Sequence, residues 1–113
     1  MTVNVVFHVD ETEKWELALA NTHNLLTGIE AEGSQVEILV NGKAVEIFSS
    51  LDEKTLRTMK ILFERGVKFL ACRNSLKSHG IEEKALPGFF EVVPIGVLEL
   101  TEKQLRGFAY IKP

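Results

Sequence analysis

The sequence has only one cysteine, Cys72. That scarcity excludes an internal disulfide, a four-cysteine zinc site and a two-cysteine redox motif within one chain. A lone thiol also suits a reducing compartment better than an oxidising one. Basic residues are not in excess. The formal net charge is −3, whereas a nucleic-acid binder carries a basic stripe. No run approaches the roughly 20 apolar residues of a membrane helix. Residues 1–10 show no basic region ahead of an apolar stretch, so no signal peptide is expected and the expected location is cytoplasmic. Several motifs are missing too. The phosphatase loop has an arginine six residues after its cysteine; here that position is Ser78. No glycine-rich dinucleotide fingerprint follows the first strand, and there is no Walker lysine. Internal repeats, linkers and low-complexity stretches are absent.

What is present is enough for one domain, residues 1–113, because typical domains run to about 100–150 residues. Residues 3–9 are β-branched and aromatic on both alternating faces. Val3, Val5, Phe7 and Val9 share one face and Val6 lies on the other. A strand covered on both sides reads this way, as in a parallel sheet. Asp10 with Glu13 makes a capping box for a helix over 13–30, with Trp15, Ala18, Leu19, Thr22, Leu26 and Ile29 on one face and Gly33 as its stop. Asp10, Glu11 and Glu13 are read as capping acids rather than a metal cluster. Residues 36–40 form the second strand, and Asn41-Gly42-Lys43 a polar turn. Residues 44–48 are ambiguous between helical and extended. Ser50 with Glu53 makes a second capping box for a helix ending near Arg65. Residues 67–71 form the third strand. Asn74 or Ser75 caps a short helix to about His79, and residues 82–86 add a turn. Residues 89–93 form a fourth strand, 97–105 a last helix and 108–111 a fifth strand. Strands alternating with helices predict an α/β fold with three α/β/α layers and a mostly parallel five-stranded sheet. The first strand is expected inside the sheet, with right-handed crossovers. Phe89, Phe90, Phe108 and Tyr110 suit either a subunit interface or a two-sided core.

Every strand-to-helix turn of such a fold opens at one edge, where ligands and chemistry gather. His8 and Asp10, Asn41, Gly42 and Lys43, Cys72, Arg73 and Asn74, and Pro94 and Gly96 belong there as the residues leaving strands one to four. Cys72 has the most to gain. The thiolate is the reactive form, and helix amides or a cation such as Arg73 favour it. Its competing role is that of a small buried hydrophobe. His8 reaches Cys72 if strands one and three are neighbours; otherwise it is a histidine satisfied at a strand end. His23 and His79 are expected to be incidental. A metal set of His8, His79 and Cys72 matches no recognised ligand spacing, so no metal is expected.

Five segments in order cover nearly the whole chain: Asn21-Thr-His-Asn-Leu-Leu26, Val40-Asn41-Gly42, Ala71-Cys72-Arg73-Asn74-Ser75-Leu76, Val93-Pro94-Ile95-Gly96-Val97 and Gly107-Phe108-Ala109-Tyr110-Ile111-Lys112-Pro113. Together they resemble the DsrE/DsrF-like family of small intracellular sulfur-relay proteins. The resemblance implies a three-layer α/β/α fold and a homo-oligomer, commonly a trimer or hexamer. It also implies a sulfur carrier or sulfurtransferase whose cysteine, here Cys72, holds sulfane sulfur as a persulfide, between donor and acceptor proteins and without metal or organic cofactor. Two other readings stand beside it. One is a non-catalytic oligomeric binding or scaffolding protein with a structural Cys72. The other is a flavodoxin-like binder of a nucleotide or flavin.

Overall fold

The computed structural model describes residues 1–113. Five strands form one sheet: β1 (Asn4–Val9), β2 (Gln35–Val40), β3 (Lys68–Cys72), β4 (Phe90–Val93) and β5 (Ala109–Ile111). Every pairing is parallel, and the order across the sheet is β4-β3-β2-β1-β5. The first strand therefore lies inside the sheet, as its two-faced apolar pattern requires. The helices are α1 (Trp15–Thr27), α2 (Glu53–Glu64), α3 (Arg73–Ser78) and α4 (Gly96–Leu105). Segments of 3-10 helix cover Thr12–Lys14, Gly42–Ser49 and Glu83–Ala85, so the ambiguous stretch after β2 is helical.

The two sheet faces are covered unequally. On one, Val5, Phe7 and Val9 of β1 meet Ile38 and Val40 of β2 and Phe69 and Ala71 of β3. Trp15, Ala18 and Leu19 of α1, Met59 and Leu62 of α2, and Leu76 of α3 close over them in one core of 18 buried residues. Trp15 is 2% exposed and donates its indole N–H to the Ala44 carbonyl at 3.0 Å. Phe89 and Phe90 join this core, meeting Phe69 edge-on and tilted, with ring centroids 5.6 and 5.2 Å away. Three of the four late aromatics are thus packing residues: Phe108 is also buried, and only Tyr110 is exposed at the edge. On the other face the apolar core has five buried residues: Val6, Leu39, Leu70, Leu100 of α4 and Phe108. One helix makes up that layer.

Three local expectations are corrected. Asp10 does not cap α1; its carboxylate pairs with Lys112 at 3.2 Å, and a 3-10 turn with no side-chain cap leads into the helix. The helix ends at Thr27 with Gly28 following, well before Gly33, which instead takes the left-handed conformation (φ 87°) in the loop to β2. Asp52, not Ser50, caps α2, accepting from the Thr55 N–H at 2.7 Å. That backbone hydrogen bond holds the Asp52 carboxyl below its usual range. Asp52 is extended (φ −86°, ψ 165°), as an N-cap must be, whereas Ser50 is the closing residue of the preceding 3-10 turn.

Candidate functional site

Cys72 is the last residue of β3 and the residue that enters α3. Neither Asn74 nor Ser75 caps that helix; both lie inside it. The chain leaving β3 goes to the three-helix face, and the chain leaving β4 goes to the face of α4. Cys72 pairs with Val93 in the register, so the thiol sits between two strands whose connections diverge. The carboxyl edge at such a divergence is where wound sheets generally place their ligands.

The thiol is 5% exposed, yet its surroundings are polar on one side. The Gly96 N–H, at the start of α4, donates to Sγ at 3.3 Å. Burial by itself pushes the thiol up. The Ser75 hydroxyl and the amides of Ser75, Gly96 and Asn74 outweigh it and bring Cys72 below the ordinary cysteine range. These donors favour the thiolate because a hydrogen bond to an ionised acceptor is stronger than one to a neutral acceptor. Ser75 is itself fixed: its Oγ accepts the Gly42 N–H at 2.8 Å. Gly96 is required by space. A Cβ there would stand 3.0 Å from the Cys72 Cβ and 3.4 Å from the Asn41 Cβ.

The residues expected around Cys72 divide. Asn74 supplies an amide, Gly42 braces Ser75, and Asn41 walls the approach beside Gly96. Arg73 turns away and pairs with Glu83, Nε to Oε2 at 2.7 Å, so the cation expected to favour the thiolate is absent from the site. His8 does not reach Cys72, because β2 lies between β1 and β3. It is 9% exposed and belongs to a separate chain of hydrogen bonds. Tyr110 Oη lies 2.6 Å from His8 Nδ1, and Asn41 Oδ1 lies 2.7 Å from His8 Nε2. Burial and the Asp10 charge hold the Tyr110 phenol above its usual range, so it stays protonated. The Asn41 carbonyl oxygen can only accept, so Nε2 donates to it. His23 contacts Arg65 and His79 pairs with Glu46, both at the surface. No three His, Cys, Asp or Glu side chains converge as a metal-binding group.

Sequence reasoning placed Gly96 on this edge without showing that its amide reaches the thiol, and it missed a buried acid, Glu37. Glu37 points from the middle of β2 toward α4 and is 3% exposed. Lys103 of α4 lies 3.5 Å from Glu37 Oε2 and 2.5 Å from Glu99 Oε2. The signal for Gly96 was the Pro94-Ile95-Gly96 break after β4. For Glu37 it was one charge inside an otherwise apolar strand. A cleft of about 700 Å³ lies elsewhere, between α1 and α2, and is lined by Trp15, His23, Ile47, Asp52, Thr58 and Ile61 among others. No helix is long and apolar enough to cross a membrane.

Comparison with known proteins gives one family and one shared fold. The model of the DsrE/DsrF-like family matches residues 3–113. A protein of unknown function from Methanobacterium thermoautotrophicum, MTH1491, is 30% identical, with a TM-score of 0.87 over 98% of this chain and 99% of its own. The ychN protein from E. coli is 16% identical, with a TM-score of 0.77 over the whole of both chains. BT1422 from Bacteroides thetaiotaomicron, a conserved protein of unknown function, is 14% identical, with a TM-score of 0.69 over 97% of this chain and 94% of its own. No curated protein matches the chain in sequence.

Proposed function

Because the chain belongs to the DsrE/DsrF-like family, we propose that it is a sulfur-relay protein, with Cys72 as the atom that carries the sulfur. The Cys72 thiolate attacks the outer sulfur of a donor persulfide. A new Sγ–S bond forms, the donor's S–S bond breaks, and the donor leaves as a thiolate. An acceptor thiolate then attacks the outer sulfur on Cys72 and frees the Cys72 thiolate again. Each transfer exchanges one sulfur–sulfur bond for another, by the displacement chemistry of thiol–disulfide exchange, and needs no outside oxidant or reductant. The observation that carries this reading is the set of donors converging on one sulfur: the Ser75 hydroxyl and the amides of Ser75, Gly96 and Asn74. A chain with one cysteine has no second thiol to discharge the persulfide internally. The relay belongs in a reducing compartment such as the cytoplasm.

The same reading includes self-association into a trimer or hexamer. Support comes from the thinly covered face, where Val97 is 61% and Leu105 is 82% exposed on α4 and Tyr110 and Ile111 are exposed on the edge strand. Sedimentation should give a multiple of the 12.7 kDa chain; a monomer at micromolar concentration would remove this part.

The 5% exposure of Cys72 favours a second reading, a non-catalytic oligomeric binding or scaffolding protein in which the cysteine is a packing residue. One experiment separates the two. The protein is incubated with a low-molecular-weight persulfide donor and weighed intact. A relay gains one sulfur atom, and Cys72→Ser gains none. No gain with several donors leaves the scaffolding reading.

A further inference from the structure

The thin face of the sheet holds a cluster that the sulfur chemistry does not use. Glu37 lies 3% exposed in the middle of β2, and its Oε1 has no hydrogen-bond partner. Above it are Glu99 and Lys103, which are 13% and 11% exposed at the side chain. Lys103 Nζ also stands 5.8 Å from the centre of the Phe108 ring. From the flanking strands, the register partners of Glu37 are Lys68 on β3 and the uncharged Val6 on β1. Two carboxylates and one buried ammonium therefore meet where water is excluded. A carboxylate with an orphaned oxygen is costly to keep charged in such a place.

The geometry connects this cluster to Cys72. Gly96 is the first residue of α4 and donates to Cys72 Sγ. Glu99 and Lys103 follow on the same helix, three and seven residues later, so one face of α4 presents all three to the sheet. Glu37 and Cys72 lie too far apart along the sheet to interact strongly themselves. Cys72 is four residues beyond Lys68, the register partner of Glu37, which is about 13 Å of strand. The helix is the rigid element between them.

We infer that Glu37 is a positioning residue for the Cys72 thiol, acting through α4: its protonation state sets how the helix seats on the sheet, and so how closely the Gly96 N–H approaches Sγ. Protonated, Glu37 donates to the Glu99 carboxylate, while Lys103 neutralises Glu99. The cluster then has no net charge and α4 is drawn onto the sheet. On losing its proton to solvent, Glu37 leaves two carboxylates facing the buried Lys103 ammonium, with the exposed Lys68 ammonium only partly offsetting the Glu99 charge from the surface. Repulsion between Glu37 and Glu99 loosens α4, the Gly96 hydrogen bond weakens, and the thiolate loses a donor. Burial, reinforced by Glu99, pushes the Glu37 carboxyl up to about 7, so the change falls in the neutral range. The inference rests on Cys72 being the working thiol, and it makes the thiolate fraction rise less steeply with pH through neutrality than that of an uncoupled thiol.

A titration by nuclear magnetic resonance tests it, with ¹³C at cysteine Cβ and glutamate Cδ and ¹⁵N throughout. The single cysteine gives one Cβ resonance. In the wild type, the Cys72 Cβ and the Gly96 amide should show an inflection at the midpoint of the Glu37 carboxyl, separate from the ionisation of the thiol. In Glu37→Gln, which mimics the protonated acid, that inflection disappears. The thiol midpoint falls by up to about one pH unit, since a hydrogen bond to a charged group is worth about that much. If neither reporter moves as Glu37 titrates in the wild type, the inference is overturned, whether or not the variant folds. It is also overturned if Glu37→Gln folds and its thiol midpoint matches that of the wild type. Sulfur loading is measured separately by mass. A protein that takes up no sulfur but shows the coupled inflection refutes the relay alone; one that takes up sulfur with uncoupled titrations refutes the coupling alone.

Discussion

The replacement of Gly96 by alanine tests the joint on which the site is built. The backbone at Gly96 is not in the left-handed region, so alanine brings no conformational strain of its own. The conflict is one of space. The new Cβ would lie 3.0 Å from the Cys72 Cβ, 3.3 Å from Leu39 Cδ1 and 3.4 Å from the Asn41 Cβ. Carbon atoms in contact prefer about 3.5–4.0 Å. The Cys72 and Asn41 Cβ atoms are fixed to the ends of β3 and β2 and cannot rotate away. Leu39 can rotate, but it is fully buried. Relief must therefore come from α4, whose first turn has to lift by several tenths of an ångström. Overpacking of this kind costs about 1–3 kcal/mol, against a helix-propensity gain of at most about 1 kcal/mol. A net loss of about 1–2 kcal/mol is expected. Lifting the turn also stretches the 3.3 Å bond from the Gly96 N–H to Sγ. Losing a hydrogen bond to a charged acceptor forfeits about 1.5–3 kcal/mol of preference for the thiolate. Partial loss should thus raise the thiol midpoint by about one unit. Denaturant melts give the first quantity, and thiolate ultraviolet absorbance, blanked with Cys72→Ser, gives the second without requiring reagent access. A variant as stable as the wild type, with its thiol midpoint unmoved, would refute both the steric argument and the role of this amide.

Two further outcomes follow from the same structure. Glu37 is raised from 4.5 to about 7 in the folded chain, so between those values the native state holds a proton that the unfolded state has lost. Its contribution is complete below 4.5 and is lost as pH rises through 7, a swing of roughly 3 kcal/mol. Urea melts at about pH 5 and about pH 8 should show the wild type weakening and Glu37→Gln holding level, more stable than the wild type at the higher pH; equal wild-type stabilities would contradict this. Trp15→Phe removes the donor that satisfies the buried Ala44 carbonyl and leaves a small void, so a loss of about 2 kcal/mol is expected by circular-dichroism melts; no loss would mean that the carbonyl finds another donor.

The sequence carried the layers well because they follow from local patterns. The two-faced run in β1, the helical spacing of Trp15, Ala18, Leu19 and Thr22, and the alternation of strands with helices are all set within a dozen residues. The caps were harder, since Ser50 and Asp52 compete for the same helix start within three residues and only the backbone conformation decides between them. The site was least legible. Whether His8 meets Cys72 depends on strand order, which pairs residues far apart in the chain, and β2 proved to lie between them. Arg73 follows Cys72 in sequence, but the α-helical turn carries its side chain to Glu83. Gly96 is expected on the same edge, but its amide meets the thiol from 24 residues away, at the start of a crossover whose path no local pattern describes.

That crossover explains why so much converges on one helix. The chain must travel from β4 at one edge of the sheet to β5 at the other. Four strand spacings are about 19 Å. Ten residues of α-helix, the length of α4, cover about 15 Å, so the helix with its two short connections spans the sheet, and it is the one helix of that layer. It begins against Cys72, crosses β2 and β1, and ends beside β5. The opposite layer shares its packing among three helices and one large core, and can lose a contact without moving another. The α4 layer cannot. Whatever disturbs Glu37 beneath its middle is transmitted to Gly96 at its start, because the same ten residues hold both, and the thiol is the acceptor at that end.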